Sequence, residues 1–235
     1  NKDLRLFEIG YVQNLDLNSD TMANENQFFS ILLSGNLEPV SWKYDNSRTS
    51  DIFDLKGYIS SLVKYFTGVK PVFESCELNN DNYSLLIKLN LNNQVLGYLA
   101  KVSEEVLDHR FNVEDQPVFV FEGSMEVLFD NFNPDISYHS ISSYPAIERD
   151  ISILVDKDVM VGDIIQIIES NGGDFLQEVQ FYDLYQGENI QEGKKSLTYN
   201  LIFQNPERTL EDKEIDQQMD KIFKQLNKKI DAELR

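Results

Sequence analysis

The fold of the second half of the chain is decided by the stretch Ser196-Leu-Thr-Tyr-Asn-Leu-Ile-Phe-Gln204. Large apolar side chains occupy every second position of this stretch, and successive side chains of a β-strand point to opposite faces of its sheet. The stretch therefore predicts a strand with one apolar face, which is formed by Leu197, Tyr199, Leu201 and Phe203.

Strand and helix signals alternate on both sides of this strand. Upstream, strands are predicted at residues 149–155 and 175–185, and between them a helix at residues 161–170 ends in a left-handed cap at Asn171-Gly-Gly173. Downstream, Thr209 is expected to cap a helix, with Asp212 in the capping-box position and apolar residues at helical spacing as far as Ile230. An extended segment at residues 232–234 completes the order strand, helix, strand, strand, helix, strand, which is typical of the ferredoxin-like split βαβ fold.

The first half of the chain is predicted to form a mixed, mostly antiparallel sheet with helices laid on it. Predicted strands cover residues 4–12, 27–34, 72–78, 83–91, 95–102 and 117–121, and predicted helices cover residues 51–66 and 103–110. Residues 130–137 contain Asn131, Asn133 and Pro134 and few apolar residues, which indicates a linker. We therefore expect an α+β protein with two domains, residues 1–137 and 138–235.

Composition and charge exclude several classes of protein. The chain has 235 residues, of which 41% are hydrophobic, and no apolar run approaches the roughly 18 residues that cross a bilayer, so a membrane partner is not expected. The net charge of −19 argues against DNA and against general affinity for polyanions. With one cysteine, no signal segment and no initiator Met, the sequence favours a cytoplasmic protein that begins within a longer one.

The sequence offers no catalytic dyad and no metal site. One cysteine and two histidines cannot supply the ligands of a structural zinc. The loop from Gly187 to Lys195 resembles a phosphate-binding loop, but five residues separate its two glycines and neither serine nor threonine follows Lys194. A flexible hairpin loop is the better interpretation.

A cluster of aromatic, acidic, hydroxyl and basic residues lies on the predicted sheet of the second half. Such groups can form a pocket for a single-stranded base, in which a ring stacks on the base and polar groups contact its edge. In the alternative interpretation the tyrosines pack in the sheet as cross-strand pairs and Asp183 caps the hairpin. The cluster consists of Arg149, Ser152, Tyr182, Asp183, Tyr185, Lys194, Lys195 and Ser196.

Four blocks of the second half resemble a known domain. They are Ser143-Tyr-Pro-Ala-Ile-Glu-Arg-Asp150, Phe181-Tyr-Asp-Leu-Tyr-Gln-Gly187, Glu192-Gly-Lys-Lys-Ser-Leu197 and Phe203-Gln-Asn-Pro-Glu-Arg-Thr-Leu210. In order and spacing they are similar to the ferredoxin-fold anticodon-binding domain that ends the β subunit of bacterial phenylalanyl-tRNA synthetases. The resemblance implies that Tyr185 contacts the first anticodon base. It also implies that the rest of the tRNA site is formed by Asp183, Ser196 and Ser152, with the cations Arg149 and Lys195 nearby.

The first half resembles the preceding segment of the same subunit, a module similar to a class II synthetase core but without activity. The blocks that carry this resemblance are Leu4-Arg-Leu-Phe-Glu-Ile-Gly10, Asp51-Ile-Phe-Asp-Leu-Lys-Gly57, Leu96-Gly97 and Pro117-Val-Phe-Val-Phe-Glu122. The sequence departs from that family where His-Pro pairs are common, since Tyr83 and Ala100-Lys101 stand in those neighbourhoods. It also lacks the glycine-rich stretch ending in arginine that ATP-binding class II cores require.

The resemblance implies a tRNA-binding and scaffold role in a phenylalanine-tRNA ligase. The partners would be phenylalanine tRNA and the synthetase α subunit in an α2β2 assembly. ATP and Mg²⁺ would serve the whole enzyme, and this part of it would bind no cofactor and carry no catalytic residue. Two alternatives remain open from the residues: a ferredoxin-like regulatory domain that binds a small metabolite, and an interaction module without a ligand.

Overall fold

The computed structural model describes residues 3–17, 22–38, 42, 48–78, 81–134 and 142–235. Contacts between residues divide the chain into two units, Asn1–Ser137 and Tyr138–Arg235. Each unit combines helices with an antiparallel sheet, which confirms the predicted α+β class.

The first unit contains a six-stranded sheet in the order β1-β2-β6-β5-β4-β3, with every neighbouring pair antiparallel. Its elements are β1 (Leu4–Leu15), β2 (Ala23–Ser34), α1 (Ile52–Thr67), β3 (Val72–Ser75), β4 (Tyr83–Leu91), β5 (Gln94–Val102), α2 (Glu104–Phe111), β6 (Val118–Ser124) and α3 (Met125–Asp130). Every predicted element of this half is present, but β3 ends three residues earlier than expected and α3 was not predicted.

Helix α1 is fixed by its two ends and by one apolar stripe. Asp51 accepts hydrogen bonds from the backbone N–H groups of Phe53 and Asp54, and the Asp54 carboxylate accepts from the backbone of Asp51. Gly68 ends the helix with a φ of 72°, in the left-handed region that glycine adopts without strain. The stripe formed by Leu55, Ile59 and Val63 is fully buried against the sheet, which gives this unit its core.

Strands β5 and β6 approach each other so closely that glycine is required where Gly97 faces β6. Gly97 lies opposite Gly123 in the register. A Cβ atom at Gly97 would lie 2.0 Å from the Glu122 carbonyl oxygen and 2.7 Å from the Gly123 Cα, so no other residue fits there without moving the backbone.

Strand β1 leaves large apolar side chains exposed at the edge of the sheet. Phe7 is 80% exposed, and Leu6, Ile9 and Tyr11 are each more than half exposed. Beside them lies an apolar cavity of about 530 Å³, lined in part by Phe7, Ile9, Ile31, Leu62 and Phe66. This edge is an apolar surface that the described part of the unit leaves uncovered.

The second unit has the predicted order of strands and helices. Its elements are β7 (Ile147–Asp156), α4 (Val161–Asn171), β8 (Leu176–Tyr185), β9 (Lys194–Phe203), α5 (Asp212–Ile230) and β10 (Glu233–Leu234). They form an antiparallel sheet in the order β10-β7-β9-β8, and side chains of α4 and α5 join the core on one face of it. The ferredoxin-like βαββαβ prediction is thus confirmed.

The second unit differs from the sequence prediction at two helix ends. Helix α5 begins at Asp212 with Glu211 as its N-cap, instead of being capped by Thr209, because Leu210 is buried in the core and holds the chain extended. Glu214 completes the capping box, since its carboxylate accepts a hydrogen bond from the Glu211 backbone N–H at 3.0 Å. At the end of α4 only Gly173 is left-handed, with a φ of 71°, while Gly172 stays in the right-handed region.

The predicted linker also begins later than expected. Asp130 is the last residue of α3, and the Phe132 and Asn133 backbone N–H groups still donate to the unit. Residues 135–137 of the predicted linker lie outside the described residues.

Candidate nucleic-acid interface

The alternation of β9 separates the apolar and the polar residues of the second unit. Leu197, Tyr199, Leu201 and Phe203 are fully buried beneath the helices, as predicted. The residues between them, and those opposite them in β7 and β8, project to the other side of the sheet. We call this side the polar face, and it carries Asp150, Ser152, Asp183, Tyr185, Ser196, Thr198 and Asn200.

Four of the six predicted site residues come together on the polar face. Tyr185 lies opposite Ser196, and one row further along Asp183 and Ser152 lie on either side of Thr198. The Ser152 and Thr198 hydroxyl oxygens are 2.9 Å apart and form a hydrogen bond. A ring, a carboxylate and three hydroxyl groups therefore share one patch across three strands.

The other two predicted site residues point elsewhere. Arg149 lies opposite Leu201, on the helix side, and forms an ion pair with Asp212 in the first turn of α5. Lys195 lies opposite Val155, also on the helix side, and is only 8% exposed. The structure thus does not bring Arg149 or Lys195 to the polar face.

A β-bulge in β8 contributes to the orientation of the acidic and aromatic side chains of that strand. Phe181 pairs with Tyr199 and Asp183 with Thr198, so that Tyr182 is the extra residue of β8 and stands 78% exposed. No hydrogen bond or ion pair holds the Asp183 side chain within the described residues, and this carboxylate is exposed. It is therefore available to accept hydrogen bonds from a ligand.

Gly187 lies against the Tyr185 ring. A Cβ atom at residue 187 would come within 2.5 Å of Tyr185 Oη and 2.7 Å of its Cζ, distances that real side chains do not show. The absence of a side chain at Gly187 therefore permits the observed position of the ring.

Two cations of the second unit are paired with acidic neighbours. Arg208 donates two hydrogen bonds to Glu214, at 2.8 and 2.7 Å, and Lys194 forms an ion pair with Glu233. The Arg208 hydrogen bond, together with the bond from the Glu211 backbone, lowers the pKa of Glu214 from 4.5 to about 2. Arg208 and Lys194 are thus held by carboxylates, and of these two cations only Lys194 shares the side of β9 that carries Ser196.

Arg235 is a component of this patch that the sequence reasoning missed. Its backbone N–H donates to the Ser152 carbonyl at 3.0 Å, and its Nη1 donates to Ser196 Oγ at 3.2 Å. Its guanidinium carbon lies 5.3 Å from the centre of the Tyr185 ring. Thr198 and Asn200 were missed as well, although the alternation of β9 already placed them on the same side as Ser196.

Other parts of the described chain show no comparable constellation. Among the described residues no group of three or more His, Cys, Asp or Glu side chains could hold a metal ion. None of the described helices has the length and hydropathy needed to cross a membrane.

Comparison with known proteins gives matches over both units. Residues 1–125 match the family described as "Phenylalanyl tRNA synthetase beta chain CLM domain", and residues 142–235 match the family described as "Ferredoxin-fold anticodon binding domain". Proteins named phenylalanine-tRNA ligase beta subunit are similar to the whole chain: that of Clostridium tetani is 31% identical over 236 residues, and that of Listeria monocytogenes serotype 4b is 32% identical over 240 residues. The chain spans 28% and 29% of the length of these two relatives.

Proposed function

The chain belongs to the phenylalanyl-tRNA synthetase beta chain family, and from this membership we propose that it binds tRNA and supports subunit assembly in a phenylalanine-tRNA ligase. Residues 138–235 form the anticodon-binding domain in this proposal. Residues 1–137 form a class II core-like scaffold without catalytic activity. The observation that carries the proposal is the patch of Ser152, Asp183, Tyr185 and Ser196 on the polar face.

Tyr185 and Asp183 supply two different parts of base recognition. The Tyr185 ring is 37% exposed and provides a stacking surface, which is worth roughly 1–3 kcal/mol for a single-stranded base of any identity. Phenylalanine anticodons begin with guanine, whose Watson–Crick edge offers N1–H and an amino group. The Asp183 carboxylate can accept from both donors at once, and a base without them leaves that charge unpaired.

The two serines complete the edge of the site. The Ser152 hydroxyl already shares a hydrogen bond with Thr198, so it keeps one further donor or acceptor position for a base or a ribose. The Ser196 hydroxyl lies beside the Tyr185 ring, within reach of a base stacked on it. Recognition in this proposal depends on the shape and edge of an unpaired base, as is usual for single-stranded RNA.

The charge distribution makes the proposed binding weak and sensitive to salt. Three cations of the second unit, Arg149, Lys194 and Arg208, are held by Asp212, Glu233 and Glu214, and the chain carries a net charge of −19. Few phosphate contacts then remain, about two to four, and each contributes about −0.7 to the slope of log K against log salt. The remaining parts of the full-length protein and its partner would supply the rest of the affinity for tRNA.

The first unit is proposed to contact the synthetase α subunit. In support of this, β1 exposes Phe7, Ile9 and Tyr11 beside an apolar cavity of about 530 Å³, which is the kind of surface that a protein partner covers. We propose that the whole cytoplasmic enzyme binds ATP and Mg²⁺ and attaches phenylalanine to tRNA at a site outside this chain.

The proposal is tested with an RNA stem-loop that carries the phenylalanine anticodon and a second one with adenine in place of its first base. Wild-type chain should prefer the guanine loop. Tyr185→Ala should weaken both complexes by about 5- to 150-fold, as the loss of one stack requires, and Asp183→Ala should mainly remove the preference.

The control is Tyr65→Ala, which removes a tyrosine of the first unit that is 85% exposed and should leave both affinities unchanged. Equal binding of the two loops by wild-type chain would refute the assignment. So would Tyr185→Ala and Asp183→Ala variants that lose thermal stability but keep the wild-type preference.

A further inference from the structure

We propose that Arg235 is a phosphate-binding residue of the RNA interface, and that its guanidinium covers the base site until a nucleotide displaces it. This inference rests on the proposed function and adds to it a residue and a movement. It starts from three contacts that Arg235 makes, all with residues of the patch formed by Ser152, Asp183, Tyr185 and Ser196.

The backbone position of Arg235 follows from the register of β10. Glu233 lies opposite Leu154 and Leu234 opposite Ile153, so the next residue reaches Ser152, whose carbonyl accepts its N–H. The alternation of side chains then places Arg235 on the same side as Ser152. This position is fixed by main-chain pairing and does not depend on the conformation of the Arg235 side chain.

The side chain of Arg235 lies across the base site. Its guanidinium stands 5.3 Å from the Tyr185 ring centre and donates to Ser196 Oγ. Ser196 is only 3% exposed although it belongs to the polar face. A base that stacks on Tyr185 and contacts Ser196 must therefore displace the guanidinium.

The contacts that hold the guanidinium are weak. A cation over an exposed ring and one hydrogen bond to a neutral hydroxyl are both modest interactions. No ion pair of Arg235 occurs among the described residues, whereas Lys194, another cation on this side of the sheet, is paired with Glu233. A phosphate would offer two acceptor oxygens in the geometry that a guanidinium fork matches, so a displaced Arg235 gains a stronger partner.

The structure thus assigns two roles to one residue. In the free chain Arg235 shields the Tyr185 ring, and in the complex it donates to the phosphate of the nucleotide whose base has taken its place. Because the phosphate contact is stronger than the contacts it replaces, the net effect of Arg235 on affinity is favourable.

The experiment measures the affinity of the guanine stem-loop at several salt concentrations between about 50 and 200 mM for wild-type chain, Arg235→Ala and Arg235→Lys. Arg235→Ala should weaken binding about three- to tenfold, and its slope of log K against log salt should be shallower by about 0.7, the value of one lost phosphate contact. Arg235→Lys keeps the charge but not the fork, so its slope should match that of wild-type chain with an intermediate affinity.

Lys224→Ala serves as the control, since it removes one charge from the exposed side of α5, the helix that packs on the opposite side of the sheet. Its slope should equal that of wild-type chain. An Arg235→Ala variant with unchanged slope and affinity would overturn the inference. Tighter binding by that variant would overturn it as well, because Arg235 would then only obstruct the site.

The same measurements separate this inference from the proposed function. If wild-type chain prefers the guanine loop over the adenine loop and Arg235→Ala changes nothing, only the role of Arg235 fails. If wild-type chain shows no preference, the anticodon assignment fails and the role of Arg235 fails with it.

Discussion

Alanine at Gly187 should displace the Tyr185 ring and weaken RNA binding without unfolding the domain. The added Cβ would lie 2.5 Å from Tyr185 Oη and 2.7 Å from Cζ. Unbonded atoms prefer separations of about 3.5 Å, so the hydroxyl end of the ring must move by about 1 Å. The ring lies on the sheet surface and the glycine in an exposed loop, so this movement should cost little stability.

The loss of affinity follows from the size of the displacement. A gap of 0.5–1 Å removes about a quarter to a half of a van der Waals contact. Since a ring–base stack is worth roughly 1–3 kcal/mol, Gly187→Ala should lose about 0.3–1.5 kcal/mol. This corresponds to a Kd for the guanine stem-loop that is about 2- to 13-fold higher.

A double-mutant cycle tests whether Gly187 acts through the ring. Binding is measured for Gly187→Ala, Tyr185→Ala and the variant with both changes, and the double variant should bind no more weakly than Tyr185→Ala alone. Gly162→Ala is the matched control, because a Cβ at that helical position meets no atom within 4 Å. Additive losses in the double variant, or a Gly187→Ala variant that binds as wild-type chain does, would refute the reasoning.

Three further predictions concern stability. Tyr199→Phe should raise the free energy of unfolding of the second unit, measured by urea denaturation, by about 1 kcal/mol. The reason is that the buried Tyr199 hydroxyl has no hydrogen-bond partner in the described part of the chain, and burial raises its pKa. A clear loss of stability would show that the hydroxyl does have a partner. Glu214 has a pKa of about 2 in the folded chain, below its ordinary 4.5, so its contribution to stability is complete above pH 4.5 and is lost as the pH falls toward 2. The difference in unfolding free energy between wild-type chain and Glu214→Gln should therefore shrink over that pH interval. A difference that stays constant would contradict this prediction. Gly97→Ala should lower the stability of the first unit by about 3 kcal/mol or more, because the added Cβ would overlap the Glu122 carbonyl. A thermal unfolding curve like that of wild-type chain would contradict the close approach of β5 and β6.

Much of the fold could be predicted because local periodicity and tertiary burial agree. In β9 the same four residues that alternate in the sequence are the fully buried ones, and in α1 Leu55, Ile59 and Val63, which recur at helical spacing, are fully buried as well. The cap of α5 could not be predicted in the same way. Two capping-box spacings overlap there, and the choice depends on the burial of Leu210 and on the Arg208–Glu214 pair.

The prediction of the site was limited by long-range contacts. Alternation alone could have excluded Arg149, which shares its side of β7 with Ile151, but its ion pair with Asp212 joins residues 63 positions apart and leaves no local signal. Arg235 reaches Tyr185 only because β10 pairs with β7, across two strands of the sheet. No spacing pattern in the sequence indicates that Arg235 and Tyr185 lie close together.

A strongly acidic chain can recognise a base by stacking and hydrogen bonding, but it binds the phosphate backbone of RNA poorly. Non-specific binding of RNA depends on phosphate contacts, and here the net charge of −19 and the pairing of Lys194 and Arg208 with carboxylates suppress them. In the proposed complex the stack on Tyr185 and the bonds to Asp183 would not depend on those contacts, so we expect the charge to lower the affinity for every RNA and to leave the difference between guanine and adenine unchanged. If the proposed function holds, a weak but selective interface of this kind would contribute little to capture of the tRNA and much to the choice among tRNAs bound by other surfaces of the enzyme. Replacing acidic surface residues of the second unit by lysine would therefore be expected to raise affinity for all loops and to reduce the ratio of specific to non-specific binding.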